Sequence, residues 1–200
     1  MRHDGAAGCP MQKRAAILAG FLAASLALAL ATPAPAEIEK FMTIKDGQMH
    51  PYFRLKFTPP KGWVQEKEAS KRYGMPMYVQ EGTDFSSSPA LMYIMVAYNH
   101  QKQQTLQQYI DTANEVWRGK MKDTRIEKTA AEKRENGLPD FEVYRFVNPG
   151  DTNQPYELIA FGEDKDKDGN NFLMKIALSA RSEKALKAVE AGFRAGLRAH

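Results

Sequence analysis

The stretch FGEDKDKDGNNFL, residues 161 to 173, carries Asp164, Asp166 and Asp168 at alternate positions, followed by Gly169 and Asn170. Hard cations take oxygen ligands, and a looped calcium site draws on positions one, three, five and seven, a glycine at six and a bidentate carboxylate at twelve. Counted from Asp164, the first three ligand positions are filled, Gly169 falls at six and Asn170 offers a carbonyl at seven. The ninth position is Phe172 and the twelfth is Lys175, so the strongest ligand of a complete loop is absent. Lys165 and Lys167 dilute the negative field. Two readings follow. One is a weak calcium half-site on Asp164, Asp166, Asp168 and Asn170, closed by water or Glu163. The other is the polar tip of a β-hairpin, since Asp and Gly are turn formers.

Other chemistry is sparse. Met49 beside His50, and Met75 with Met77, are soft ligands of the kind that hold Cu(I), or side chains that fill gaps in a core. His50, His100 and His200 have no second histidine at metal spacing. The serines of DFSSSPA (84–90) lack the glycine elbow of a hydrolase nucleophile. No phosphate-cradling glycine motif is present. Cys9 is the only cysteine and lies ahead of the expected mature domain, which leaves neither a disulfide nor a thiol nucleophile there. The sequence offers no catalytic constellation, and we expect no enzyme.

The elements that carry these residues begin with an address. Lys13 and Arg14 precede an uncharged apolar run from Ala15 to Ala31, and Ala34-Pro35-Ala36 presents small residues for cleavage before Glu37. Residues 1–36 therefore read as a secretory signal, with Met11 as the expected start. Loss of that segment lowers the formal net charge from +4 to +2, because Arg2, Lys13, Arg14 and Asp4 leave with it. A balance so near neutral, without a basic stripe, argues against nucleic acid. A periplasmic or secreted protein is expected, with no membrane span after cleavage.

Residues 37–50 read as an N-terminal leader and 51–200 as one α+β domain. YFRLKF (52–57) alternates as a strand, TPPKG breaks it, and WVQEKEA reads as another strand. MPMYVQEG (75–82) is expected at a sheet edge because Pro76 lacks an N–H. LMYIMVAY (91–98) suits a central strand. Leu106, Tyr109, Ile110, Ala113, Val116, Trp117 and Met121 share one helical face, and Thr105 with Gln108 forms a capping box. Asn136-Gly137 signals a tight hairpin before DFEVYRFV (140–147). YELIAFGE and NFLMKIALS flank the aspartates. A closing helix starts at Ser182. Its stripe is Leu186, Val189, Phe193 and Leu197, with Gly192 and Gly196 beside it. The expected architecture is a mainly antiparallel sheet with a long central helix and a C-terminal helix.

The corner FRLKFTPPKGW, the strand LMYIMVAY, the helix TLQQYIDTANEVW, a meander and a final helix, in that order, resemble the PsbP-like and DcrB-like sandwich family over about residues 50 to 198. The resemblance implies a binding module that acts on an envelope protein partner, and it carries no catalytic residue across. Trp63, Tyr73, Tyr78 and Phe85 fall in or near loops and the expected edge. They are read as partner-binding aromatics or, alternatively, as core closure.

Overall fold

The structure is a computed structural model that describes residues 38–45 and 47–200. The expected signal lies outside the described residues. The chain runs β1 (Ile38–Lys45), β2 (Gln48–Leu55), β3 (Trp63–Gln65), α1 (Lys67–Tyr73), β4 (Met77–Gln80), β5 (Ala90–Tyr98), a short turn at His100–Lys102, α2 (Leu106–Lys120), β6 (Arg125–Lys128), β7 (Glu142–Val147), β8 (Tyr156–Lys165), β9 (Asn171–Ala180) and α3 (Glu183–Arg198). Seven strands form one antiparallel sheet in the order β3-β4-β5-β9-β8-β7-β6, and β1 with β2 forms a separate two-stranded sheet. The fold class is α+β.

Strand alternation sorts the side chains to two faces. Met92 and Ile94 of β5, Leu158 and Ala160 of β8, and Met174, Ile176 and Leu178 of β9 meet Leu186, Phe193 and Leu197 of α3. Tyr144, Phe146, Ile159, Phe161 and Ala177 turn the other way, against Ile110, Tyr109, Ala113 and Trp117 of α2. The apolar periodicities of both helices are therefore spent on opposite faces of one sheet. Thr105 and Gln108 cap α2 reciprocally, and Ser182 caps α3 through the Ala185 N–H.

Several local expectations need correction. In the leader, whose structure the sequence leaves open, residues 38–45 pair with 48–55 as a hairpin. WVQEKEA is a strand for three residues only, and Lys67–Tyr73 is a helix. Glu66 accepts the Ala69 N–H at its start, and Gly74 closes it at φ 65°. The MPMYVQEG strand is not an edge. It lies between β3 and β5, with Pro76 just outside it, and the short β3 takes the edge. Asn136-Gly137 does not close a two-residue hairpin. Residues 129–141 make an excursion between β6 and β7 that touches down at the Glu132–Phe141 bridge.

Two close approaches fix the α3 face. Gly196 lets α3 meet the Pro60 and Phe57 side chains, and Gly162 in β8 lies against the buried ring of Phe141. A Cβ at Gly162 would stand 2.6 Å from Phe141 Cε1. That ring also carries the Arg134 guanidinium, 4.7 Å from its centroid, so it has little room to retreat. Gly162→Ala should cost about 1–3 kcal/mol by overpacking, read as a lower urea midpoint at unchanged slope.

Candidate functional site

The β8–β9 tip stands between two clefts. Asp166 organises the turn. Its Oδ1 accepts the N–H groups of Asp168 and Asn170, both at 2.9 Å, and its Oδ2 accepts the Asn170 side-chain amide at 2.8 Å. Burial pushes this carboxyl's pKa up, but those bonds from Asn170 and Asp168, with Lys167 nearby, outweigh it and hold the carboxyl below the usual aspartate value. Gly169 supplies the left-handed residue at φ 80°.

Asp164 plays a different part. It is the penultimate residue of β8, on the α3 face, and it is buried. Its Oδ2 accepts Arg134 Nη2 at 2.6 Å, and its Oδ1 accepts the Lys165 N–H at 2.7 Å. Arg134 is also buried. It donates to the main-chain oxygens of Glu163 and His200 and lies over Phe141. A buried carboxylate is tolerated only with a matched partner, and this pair satisfies that condition. The expectation of three aspartates in one solvated tip is corrected accordingly. Asp168 is exposed, Asp166 holds the turn with Asn170, and Asp164 belongs to the core. Among the described residues no three His, Cys, Asp or Glu side chains come together as a metal site. A calcium ion on Asp164 would have to compete with a guanidinium for the same carboxylate.

On the α2 side the tip borders a cleft of about 920 Å³. Its other walls are the His100–Lys102 turn, the first residues of α2, and Leu138 with Pro139 from the excursion. The turn is held by Asn99, whose side chain bonds both ways with the Gln104 backbone and whose N–H reaches Asn171 O at 2.8 Å. Gln101 and Lys102 are both left-handed, at φ 50° and 53°, a conformation that costs a non-glycine residue about 1–2 kcal/mol. Lys102, Lys165 and Lys167 line this cleft and form no ion pair among the described residues, while Asp164 and Asp166 are engaged as above.

On the opposite side, a cleft of about 990 Å³ separates the tip from the β1–β2 hairpin. Phe53 and Tyr98 line it. Phe53, Tyr98 and Phe172 form an aromatic cluster with centroids 5.0–5.5 Å apart, and His100 meets Tyr98 at 5.7 Å.

The aromatics singled out from sequence divide. Trp63 and Tyr78 are buried in the α3-side core, so they close the core and present no free surface. Tyr73 and Phe85 stack at 5.4 Å, with Tyr73 exposed and Phe85 packed on the Ala69–Met77–Leu91 cluster, away from the tip. Of the methionines, Met77 is buried in that same cluster and Met49 is exposed on the hairpin. One further polar cluster lies on the α2 face. Glu157 Oε1 accepts the Tyr93 hydroxyl at 3.2 Å and the Ser179 hydroxyl, and burial drives the Glu157 carboxyl's pKa upward against the bond from Ser179 and the charge of Lys175.

Sequence reasoning missed Arg134, the Asn99 clamp and the Gln101–Lys102 turn. Asn99 between an apolar strand and a capped helix was a visible turn signal; nothing local marks Arg134 as a core residue. The chain matches no protein-family model and no curated protein. Among the described residues, no helix is long and apolar enough to cross a membrane.

Asp164→Asn leaves a buried guanidinium without its counter-charge and should cost about 3–5 kcal/mol. Arg134→Met combined with Asp164→Leu should recover part of that loss. Chemical unfolding with and without millimolar calcium reads both effects, and the same loss is expected in either condition.

Proposed function

We propose that this chain is a non-catalytic accessory protein of the bacterial envelope that recognises a protein partner at the tip end of its sheet. The observation that carries this reading is the cleft on the α2 side. Three separate chain segments converge on it: the Asn99–Thr105 connection, the Leu138–Pro139 stretch and the Asp166–Asn170 turn. The first and last are each held by side-chain-to-backbone bonds within the segment. Loops fixed on a scaffold are where binding surfaces are built. The consecutive left-handed Gln101 and Lys102 add backbone strain at the same place, as functional turns often do.

Charge narrows the partner. Lys102, Lys165 and Lys167 on the rim outnumber Glu163 and Asp166, with Asp164 already paired to Arg134, and favour an acidic, extended segment of another protein, with Leu106 and Leu138 supplying apolar contact beneath. The signal-like start supports an envelope location, and the PsbP/DcrB-like resemblance of the sequence implies a binding module. A calcium-responsive loop has less support, because the Asp164 carboxylate is already committed to Arg134.

A photo-reactive residue in place of Lys167 or Gln107 should capture the same envelope protein in living cells. The same probe at Tyr73, away from the tip, should not. Lys102→Glu with Lys167→Glu should weaken that capture at least about tenfold, the size expected when several rim charges are reversed. Equal capture at Tyr73, or indifference to charge reversal, would move the binding surface elsewhere.

A further inference from the structure

Among the described residues, the β1–β2 hairpin presents an unpaired strand edge and a largely apolar face that outruns the domain. Its register pairs Ile38 with Leu55, Lys40 with Phe53, Met42 with Pro51 and Ile44 with Met49. Alternation puts these eight residues on one face. At the root, that face is used. Leu55 is in the core with Ile38 packed beside it, and Phe53 lies on Tyr98 and Phe172. Beyond the root no described residue covers the same face. Met42 is 51% exposed, Ile44 76% and Met49 66%. A two-stranded ribbon is marginal in water without further strands or packing.

The two edges of the ribbon are unlike. Pro51 has no N–H to give, so its position opposite Met42 must be one of the wide ladder pairs, whose backbone groups point away from the partner strand. Pro51 therefore blunts the outer edge of β2. By the same alternation, Met42 directs its own N–H and C=O outward from β1, together with Lys40 and Ile44. No proline lies in β1, and no other described strand pairs with that edge.

We propose that β1 is a homodimer interface, in which the β1 edges of two copies pair antiparallel about a two-fold axis at Met42 and join the two ribbons into one four-stranded sheet. A two-fold contact must be self-complementary, and β1 is. With the axis at Met42, Glu39 of each copy stands opposite Lys45 of the other, Lys40 opposite Ile44, and Met42 opposite itself. The register centred on Phe41 overlaps the strand as well but brings no opposite charges together. In the Met42 register the exposed Met42 residues of the two copies meet side by side on one face, each flanked by Ile44 and Met49 of its own ribbon, with Lys40 opposite Ile44 of the other copy. Glu39 is available for this exchange, since its contact with Arg54 is loose, at 3.6 Å, and exposed. This inference is independent of the tip reading.

Sedimentation of the purified protein from about 1 µM to about 1 mM brackets an interface of this modest size. The expected result is a concentration-dependent dimer. Glu39→Lys should raise the midpoint about tenfold by setting like charges across the axis twice. Glu39→Lys with Lys45→Glu should restore it. Met42→Pro should be monomeric yet keep its circular dichroism and melting temperature, because the N–H that it removes points away from β2. A protein monomeric throughout that range would overturn the proposal. So would a dimer indifferent to Glu39→Lys and Met42→Pro, or a monomer that captures a different protein on β1.

Discussion

The Arg134–Asp164 pair is the interaction on which the functional end of this molecule depends. Two charges at 2.6 Å, both buried, are costly to desolvate and hold only because the geometry is matched. Their consequences spread along the chain. Arg134 can reach the core only if the β6–β7 connection leaves the sheet plane, and residues 129–141 do so. Its guanidinium presses the Phe141 ring, which in turn requires glycine at 162. Its Nη2 and the Asn136 amide both hold the His200 main-chain oxygen, which ties the end of α3 to the same point. Asp164 is thereby fixed one residue before the last of β8, and the tip begins from a defined position.

The opposite face is built to the same end by different means. Apolar packing on Tyr144, Phe146, Ile159 and Phe161 places α2, and the Thr105–Gln108 box and the Asn99 clamp decide where it begins. That start forms one wall of the α2-side cleft and the tip forms another. The cleft's shape thus joins a buried ion pair on one face to helix capping on the other. An ion network along α3 adds to the α3 side. Glu132 accepts Arg194 and Arg198, both at 2.8 Å, and Glu190 meets Arg194 and Arg145.

What could be read from sequence was what local periodicity and local capping decide. The α2 helix was legible because its stripe and its capping box lie within one stretch, and β5, β8 and β9 because their runs are long and apolar. The α1 helix was hidden by its seven residues and by a glutamate cap in place of serine or threonine. The β1–β2 hairpin is signalled by Asp46-Gly47, the same kind of dipeptide as Asn136-Gly137, where the chain instead leaves the ladder and buries Arg134. The aspartates misled for a related reason. Their spacing is local, but the fate of Asp164 is set by an arginine thirty positions earlier, and no periodicity encodes that meeting. Trp63 and Tyr78 look like surface aromatics until the TPPKG corner folds them under α3.

Amide hydrogen exchange on the wild-type protein and Asp164→Asn tests whether the buried pair organises the tip. The account predicts that Asp164→Asn loses protection by more than about tenfold in residues 163–172, 134–137 and 198–200. Protection differences among β5, β9 and α2 core amides should still follow global stability alone. A uniform loss across all elements, with no excess at the tip, would contradict it and reduce Arg134–Asp164 to one stabilising contact among many.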